Sequence, residues 1–160
     1  MNDALLRFGD WLQNSPMGLT VGQTLWGYPY IQLIHFFGLS LWVGTIVMLD
    51  LRILGLAVKN QSATQLLRNL LPWTWTGLCI VVTGGVLLFS AAAKTYLLNA
   101  AFRVKFPLLL IGIAYHIFIQ QKLPKWESPA GLPAVAKIAG FAELVLWIGV
   151  ITAAVNIPNY

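Results

Sequence analysis

Charge is what this chain has least of. Only 9% of its 160 residues are charged and 58% are hydrophobic, where a soluble domain carries roughly a quarter charged residues. With a mean hydropathy of +0.74, this balance excludes an ordinary soluble globular domain. There is one cysteine, Cys79, so no internal disulfide can form, and no CxxCH phrase is present for covalent heme attachment. The chain also lacks an HExxH zinc motif, a glycine-rich phosphate loop, and a serine with a plausible base, which leaves hydrolase and ATPase chemistry without residues to carry it. The net charge is +5, but the basic residues are scattered singly between apolar runs, which speaks for lipid headgroups and against nucleic acid. No basic, apolar and small-residue succession marks a cleaved signal in the opening residues.

What is present is a set of four apolar runs, at residues 30–49, 71–93, 101–120 and 134–157, each near the ~20 residues that a bilayer core requires. The expected fold is all-α: a single membrane domain over 1–160, an integral four-helix bundle. Before it, residues 1–14 place Leu5, Phe8, Trp11 and Leu12 toward one helical face and Asp3, Arg7, Asp10 and Gln13 elsewhere, the pattern of an amphipathic helix lying in the membrane interface. The Gly- and Pro-rich stretch 15–29 reads as an interfacial loop anchored by Trp26 and Tyr28. Arg52, Lys59, Arg68, Lys122, Lys125 and Lys137 fall on one side of the four helices, and Arg7, Lys94, Arg103 and Lys105 on the other. The positive-inside rule makes the first side cytoplasmic and both termini external.

Both histidines lie inside expected membrane helices, where ionisable groups are costly and point to function. Gly38 follows His35 by one turn, and Gly112 precedes His116 by one turn, so each imidazole has a missing side chain beside it, with room for a flat macrocycle. Trp42 continues the face of His35, and Lys105 lies on the face of His116, within roughly 20° at 100° per residue. A buried histidine pair in a four-helix bundle suits heme iron, with Lys105 near a propionate. The alternative is that the histidines bond neighbouring helices and the glycines serve close packing. Glu143, near the middle of the fourth helix, either relays protons, orients a ligating histidine from behind, or makes a neutral interhelical bond. Asp50 and Arg52 read as a charged pair capping the first membrane helix at the boundary. By residue count His35 lies roughly 9 Å deep and His116 roughly 22 Å, so one shared heme demands a strong tilt or displaced helix ends, and separate sites are the other possibility.

These residues also carry a resemblance. The phrase IHFFGLSLWVG, residues 34–44, resembles the LHxxxxxWxG phrase of CopD-like copper-resistance membrane domains and the first helix of heme-dependent bacterial membrane protoporphyrinogen oxidases. The run from Arg103 through Lys105 to Tyr115 and His116 is similar to a later helix of those oxidases. DLRILG (50–55) and LPWTW (71–75) resemble phrases of an uncharacterised group of bacterial four-helix membrane proteins. The oxidase resemblance implies a noncovalent heme b at His35, His116 and Lys105. DLR stands where the oxidases have a PR-type phrase and a further histidine, a departure that leaves heme binding open but speaks against their porphyrinogen substrate.

The leading expectation is therefore a heme b protein of the bacterial cytoplasmic membrane, with His35 and His116 as iron ligands, Lys105, Gly38, Gly112, Trp42 and Glu143 around the cofactor, and electron transfer to a quinone or redox protein as its work. Two others stand beside it: an accessory or pigment-binding subunit of a larger membrane complex or homo-oligomer, and a protein handling copper or another metal.

Overall fold

The computed structural model describes residues 3–157, which are helical throughout apart from short connections; no strand occurs among them. Seven helices follow in order: α1 Asp3–Gln13, α2 Pro16–Gln23, α3 Gly27–Ile53, α4 Ala63–Ala91, α5 Ala93–Leu98, α6 Ala100–Trp126 and α7 Ala134–Val155. The all-α expectation holds. Four helices, α3, α4, α6 and α7, are long and apolar enough to cross a bilayer, and large apolar side chains such as Leu33, Phe37, Ile111 and Phe141 stand exposed on them, as lipid-facing positions require.

Three of the long helices, α3, α4 and α6, are longer than the apolar segments that announced them, while α7 ends at Val155, just short of its expected end. α4 begins at Ala63, eight residues before the expected start, because Ser62 caps it by accepting from the Gln65 amide at 3.0 Å. The Glu127 carboxylate at the end of α6 takes the next two free amides, Ala63 N–H at 2.7 Å and Thr64 N–H at 2.8 Å. Pro72, which opened the expected second helix, therefore lies inside α4. The stretch expected as a loop at 15–29 also requires correction: residues Pro16–Gln23 form a helix, with Ser15 accepting from Gly18 N–H at 3.2 Å and Pro16 in its first turn. That is a favourable N-terminal pair, since the proline has no amide to leave unsatisfied.

Glu127 yields a testable consequence. Burial pushes its carboxyl up, but hydrogen bonds from Thr64, Ala63 and Ser62 outweigh that and hold it below the ordinary glutamate range. A group lowered in the folded state stabilises above its unfolded value, about 4.3, and loses that contribution as pH falls through the folded value. Glu127→Gln should cost about 1 kcal/mol at neutral pH, the worth of a helix cap. The difference from wild type should shrink toward zero in acid, as read by thermal unfolding in detergent.

α3 and α4 form the most intimate pair. A Cβ on Gly77 would lie 2.7 Å from the Trp42 backbone nitrogen, so only glycine permits this approach. α7 lies along α3, and α6 along α7, while α4 and α6 touch only loosely. Two apolar layers result. One, at the end that carries the α3–α4 and α6–α7 loops, is built from Leu49, Ile53, Ala63, Leu66, Leu67, Ile119, Leu123, Ala136 and Ala139. The other contains Trp42, Ile46, Val81, Trp147 and Val150, with the two indoles edge to face at 4.6 Å.

The terminal end carries α1, α2 and α5. α1 packs through Gly9 against Lys94 and Leu97 of α5, and Lys94 Nζ reaches Asp10 Oδ1 at 3.4 Å. Leu5, Phe8 and Trp11 remain exposed, an apolar stripe consistent with the interfacial placement expected for 1–14; residues 1 and 2 lie outside the described residues.

Candidate functional site

The four long helices bring three ionisable side chains together between the two apolar layers. Asp50 of α3 and Glu143 of α7 are both 0% exposed, and His116 of α6 is 4% exposed. His116 Nδ1 and Glu143 Oε1 share a hydrogen bond of 2.8 Å, in which either group can hold the proton, and the indole N–H of Trp147 approaches the same oxygen at 3.4 Å. Helix periodicity makes this possible: Glu143 and Trp147 are four residues apart and so lie on one face of α7. Gly112, one turn before His116, gives its place to the Trp147 ring, whose atoms would lie 3.1 Å from an added Cβ.

Asp50 completes the group. Its carboxyl faces that of Glu143, and neither Asp50 oxygen, nor Glu143 Oε2, accepts from an N–H or O–H elsewhere among the described residues. Gly140 leaves the space, since a Cβ there would sit 3.4 Å from Asp50 Oδ1. The reading of Asp50 and Arg52 as a boundary pair is therefore corrected. Arg52 turns away and donates through Nε to the Gln61 carbonyl at 2.7 Å, while Asp50 is carried into the bundle because α3 continues to Ile53 instead of ending at residue 49.

No lysine or arginine offsets the two acids: among the described residues the ion pairs are Lys94 with Asp10 and His116 with Glu143. Two buried carboxyl groups with one imidazole form a set whose protonation states depend on one another. Charge in such a place is expensive unless paired, and a proton is the smallest species that can adjust it. No group of three His, Cys, Asp or Glu side chains in metal-holding arrangement occurs among the described residues.

The other histidine occupies a separate place. His35 Nδ1–H donates to the Val81 carbonyl at 2.9 Å, and its ring lies against Gly84 and Gly85 of α4. Lys105, half-buried in the second turn of α6, is near enough for its charge to act on that imidazole. The structure thus brings Lys105 to His35 rather than to His116. The room beside Gly38 is taken by Ile80, whose Cγ2 would be 2.5 Å from an added Cβ.

One heme between the two histidines does not fit this arrangement. Trp42, Trp147 and Gly112 share a level. His116 lies four residues to one side of Gly112 and His35 seven residues to the other side of Trp42, which separates them by about 16 Å along the helices at 1.5 Å per residue. Two imidazoles ligating one iron stand a few ångströms apart across the ring. The indole pair fills the interval, and the cavity beside His116 measures only about 10 Å³.

Fold and site together define a four-helix membrane protein with an acid and imidazole centre enclosed in its bundle. The chain belongs to a family of unknown function, DUF6644, whose model matches residues 8–158. No curated protein and no solved structure matches it.

Proposed function

We propose that this protein takes up and releases protons at a centre inside the bilayer, and that Asp50, Glu143 and His116 carry them. The observation behind this reading is the burial of all three groups, with Glu143 meeting both His116 and Asp50 and no fixed opposing charge beside them. Intramembrane ionisable residues of this kind serve proton relays in pumps and transporters. His116 suits the middle of a relay, since its two ring nitrogens accept and donate at once. The same chemistry serves a small membrane oxidoreductase that moves protons with electrons to or from a quinone. The distribution of Lys and Arg supports a cytoplasmic placement of the α3–α4 and α6–α7 loops, in a bacterial inner membrane with both termini periplasmic.

The experiment is proton flux into liposomes holding the purified protein and a trapped pH dye, under an imposed potential. Wild type should conduct well above protein-free liposomes, and Glu143→Gln should return the flux to that background, at least tenfold lower. Equal flux in both, or none from wild type, would overturn the proposal.

A second reading rests on His35. Its Nδ1–H bond to a backbone carbonyl is the arrangement that orients a metal-ligating histidine and frees Nε2, and Lys105 supplies a nearby cation for an anionic substituent. These residues would hold a heme b, which would supply one-electron chemistry; the resemblance of residues 34–44 to heme-dependent membrane oxidases points the same way. Reduced-minus-oxidised spectra should then show b-type bands that vanish in His35→Ala and persist in His116→Ala, whereas colourless wild type removes this reading.

A further inference from the structure

The relay needs a way in and a way out, and the packing marks a place for one of them. Toward the loop end the acids are covered by the layer that includes Leu49, Ile53, Ile119 and Leu123. Toward the terminal end Trp42 and Trp147 close the bundle edge to face. Between α4 and α6, the loosely packed pair, lies the cavity of about 10 Å³, bounded by Trp42, Thr74, Trp75, Leu78, Ile113, His116 and Ile117.

Two polar side chains, His116 and Thr74, are among those lining this cavity. His116 Nε2 is buried and has no hydrogen-bond partner among the described residues, which is costly for a ring nitrogen held out of solvent. Thr74 has one hydroxyl proton, shared between Thr45 Oγ1 at 2.9 Å and the Leu70 carbonyl at 3.0 Å, so its oxygen retains lone pairs for an outside donor. A water needs roughly 10–15 Å³ of probe-sphere volume and two to four polar partners. The cavity supplies that volume and two partners, and nothing larger than water fits it.

We infer that this cavity is a binding site for one ordered water, which donates to His116 Nε2 and Thr74 Oγ1 and joins the buried acids to the α4–α6 seam. The inference rests on the proton-relay reading for its purpose and on cavity and donor geometry for its existence. A proton that reaches this water is handed on to Nε2, and a neutral water remains. The Nδ1 proton moves to Glu143 Oε1, so the imidazole ends neutral with its proton on the opposite nitrogen. Trp75, 40% exposed, covers this water from the lipid side of the seam.

The test is nitrogen NMR of the full chain in nanodiscs with ring-labelled histidine, whose two residues are told apart by His35→Gln. In wild type, magnetisation from water should reach His116 Nε2, and its shift should be that of a hydrogen-bonded acceptor. Thr74→Val should abolish the transfer and move the signal to that of a free nitrogen. Thr45→Val, which breaks the threonine pair but keeps the Thr74 hydroxyl, should leave it in place and so serves as the folding control. No transfer in wild type, or an unchanged signal in a folded Thr74→Val, would overturn the water site. Loss of this signal with proton flux intact condemns the water alone, and absent flux with the signal intact condemns the relay alone.

Discussion

Trp147→Ala is expected to be the most destabilising single replacement in the bundle, lowering stability by about 3–5 kcal/mol. The side chain is 1% exposed, packs its ring over Gly112, and meets Trp42 edge to face at 4.6 Å. Alanine removes that volume from the centre of an apolar layer, and the helices cannot close the gap, because Gly77 already holds α3 and α4 at backbone contact. The aromatic pair contributes a further ~0.5–1.5 kcal/mol beyond burial, and Glu143 loses a donor. Trp147→Phe, which keeps most of the ring but not the N–H, should recover the larger part of the loss. Thermal unfolding in one detergent at fixed protein concentration reads both; a midpoint for Trp147→Ala within a degree or two of wild type would show that the layer does not hold the bundle together.

Asp50→Asn is expected to act in the opposite direction on stability while removing proton transfer. The two residues share a shape, but an amide brings N–H donors to Glu143, where the carboxyl now faces another carboxyl. The facing carboxyls need a bound proton to bond each other, whereas the amide donates to Glu143 without one, so stability should rise by about 1 kcal/mol. The same exchange takes away a group that can bind and lose a proton, so flux should fall toward background. A more stable and inactive variant marks a residue retained for function at the expense of stability. If Asp50→Asn were instead less stable and as active as wild type, Asp50 would be a structural residue.

The spans could be read from composition because a bilayer demands long apolar runs and leaves few alternatives. His116 and Glu143 stood out for the same reason: each is an ionisable group inside such a run, and an orienting bond between them was one of the roles open to Glu143. Asp50 was hidden by its neighbours. In LDLRILG the charges look like the end of a helix, and only the continuation of α3 to Ile53 carries Asp50 inside. The available signal was positional, since Asp50 lies four residues after Ile46 and so within roughly 40° of its face at 100° per residue. The early start of α4 was equally out of reach, because half of its cap is Glu127, 64 residues away from Ala63. The room read beside Gly38 and Gly112 was real as a feature of each helix alone; Ile80 and Trp147 fill it from others, and periodicity on one helix does not reveal what its neighbours insert.

The central claim is that the buried triad exchanges protons with the surroundings, and infrared difference spectroscopy of the protein in nanodiscs across a pH step reads this most directly. Wild type should show paired changes in carboxyl and imidazole bands. The carboxyl change should be lost in part in Asp50→Asn and in Glu143→Gln, and the imidazole change altered in both. A wild-type difference spectrum that matches those of the two variants would mean that the buried groups never change protonation, and would contradict the account.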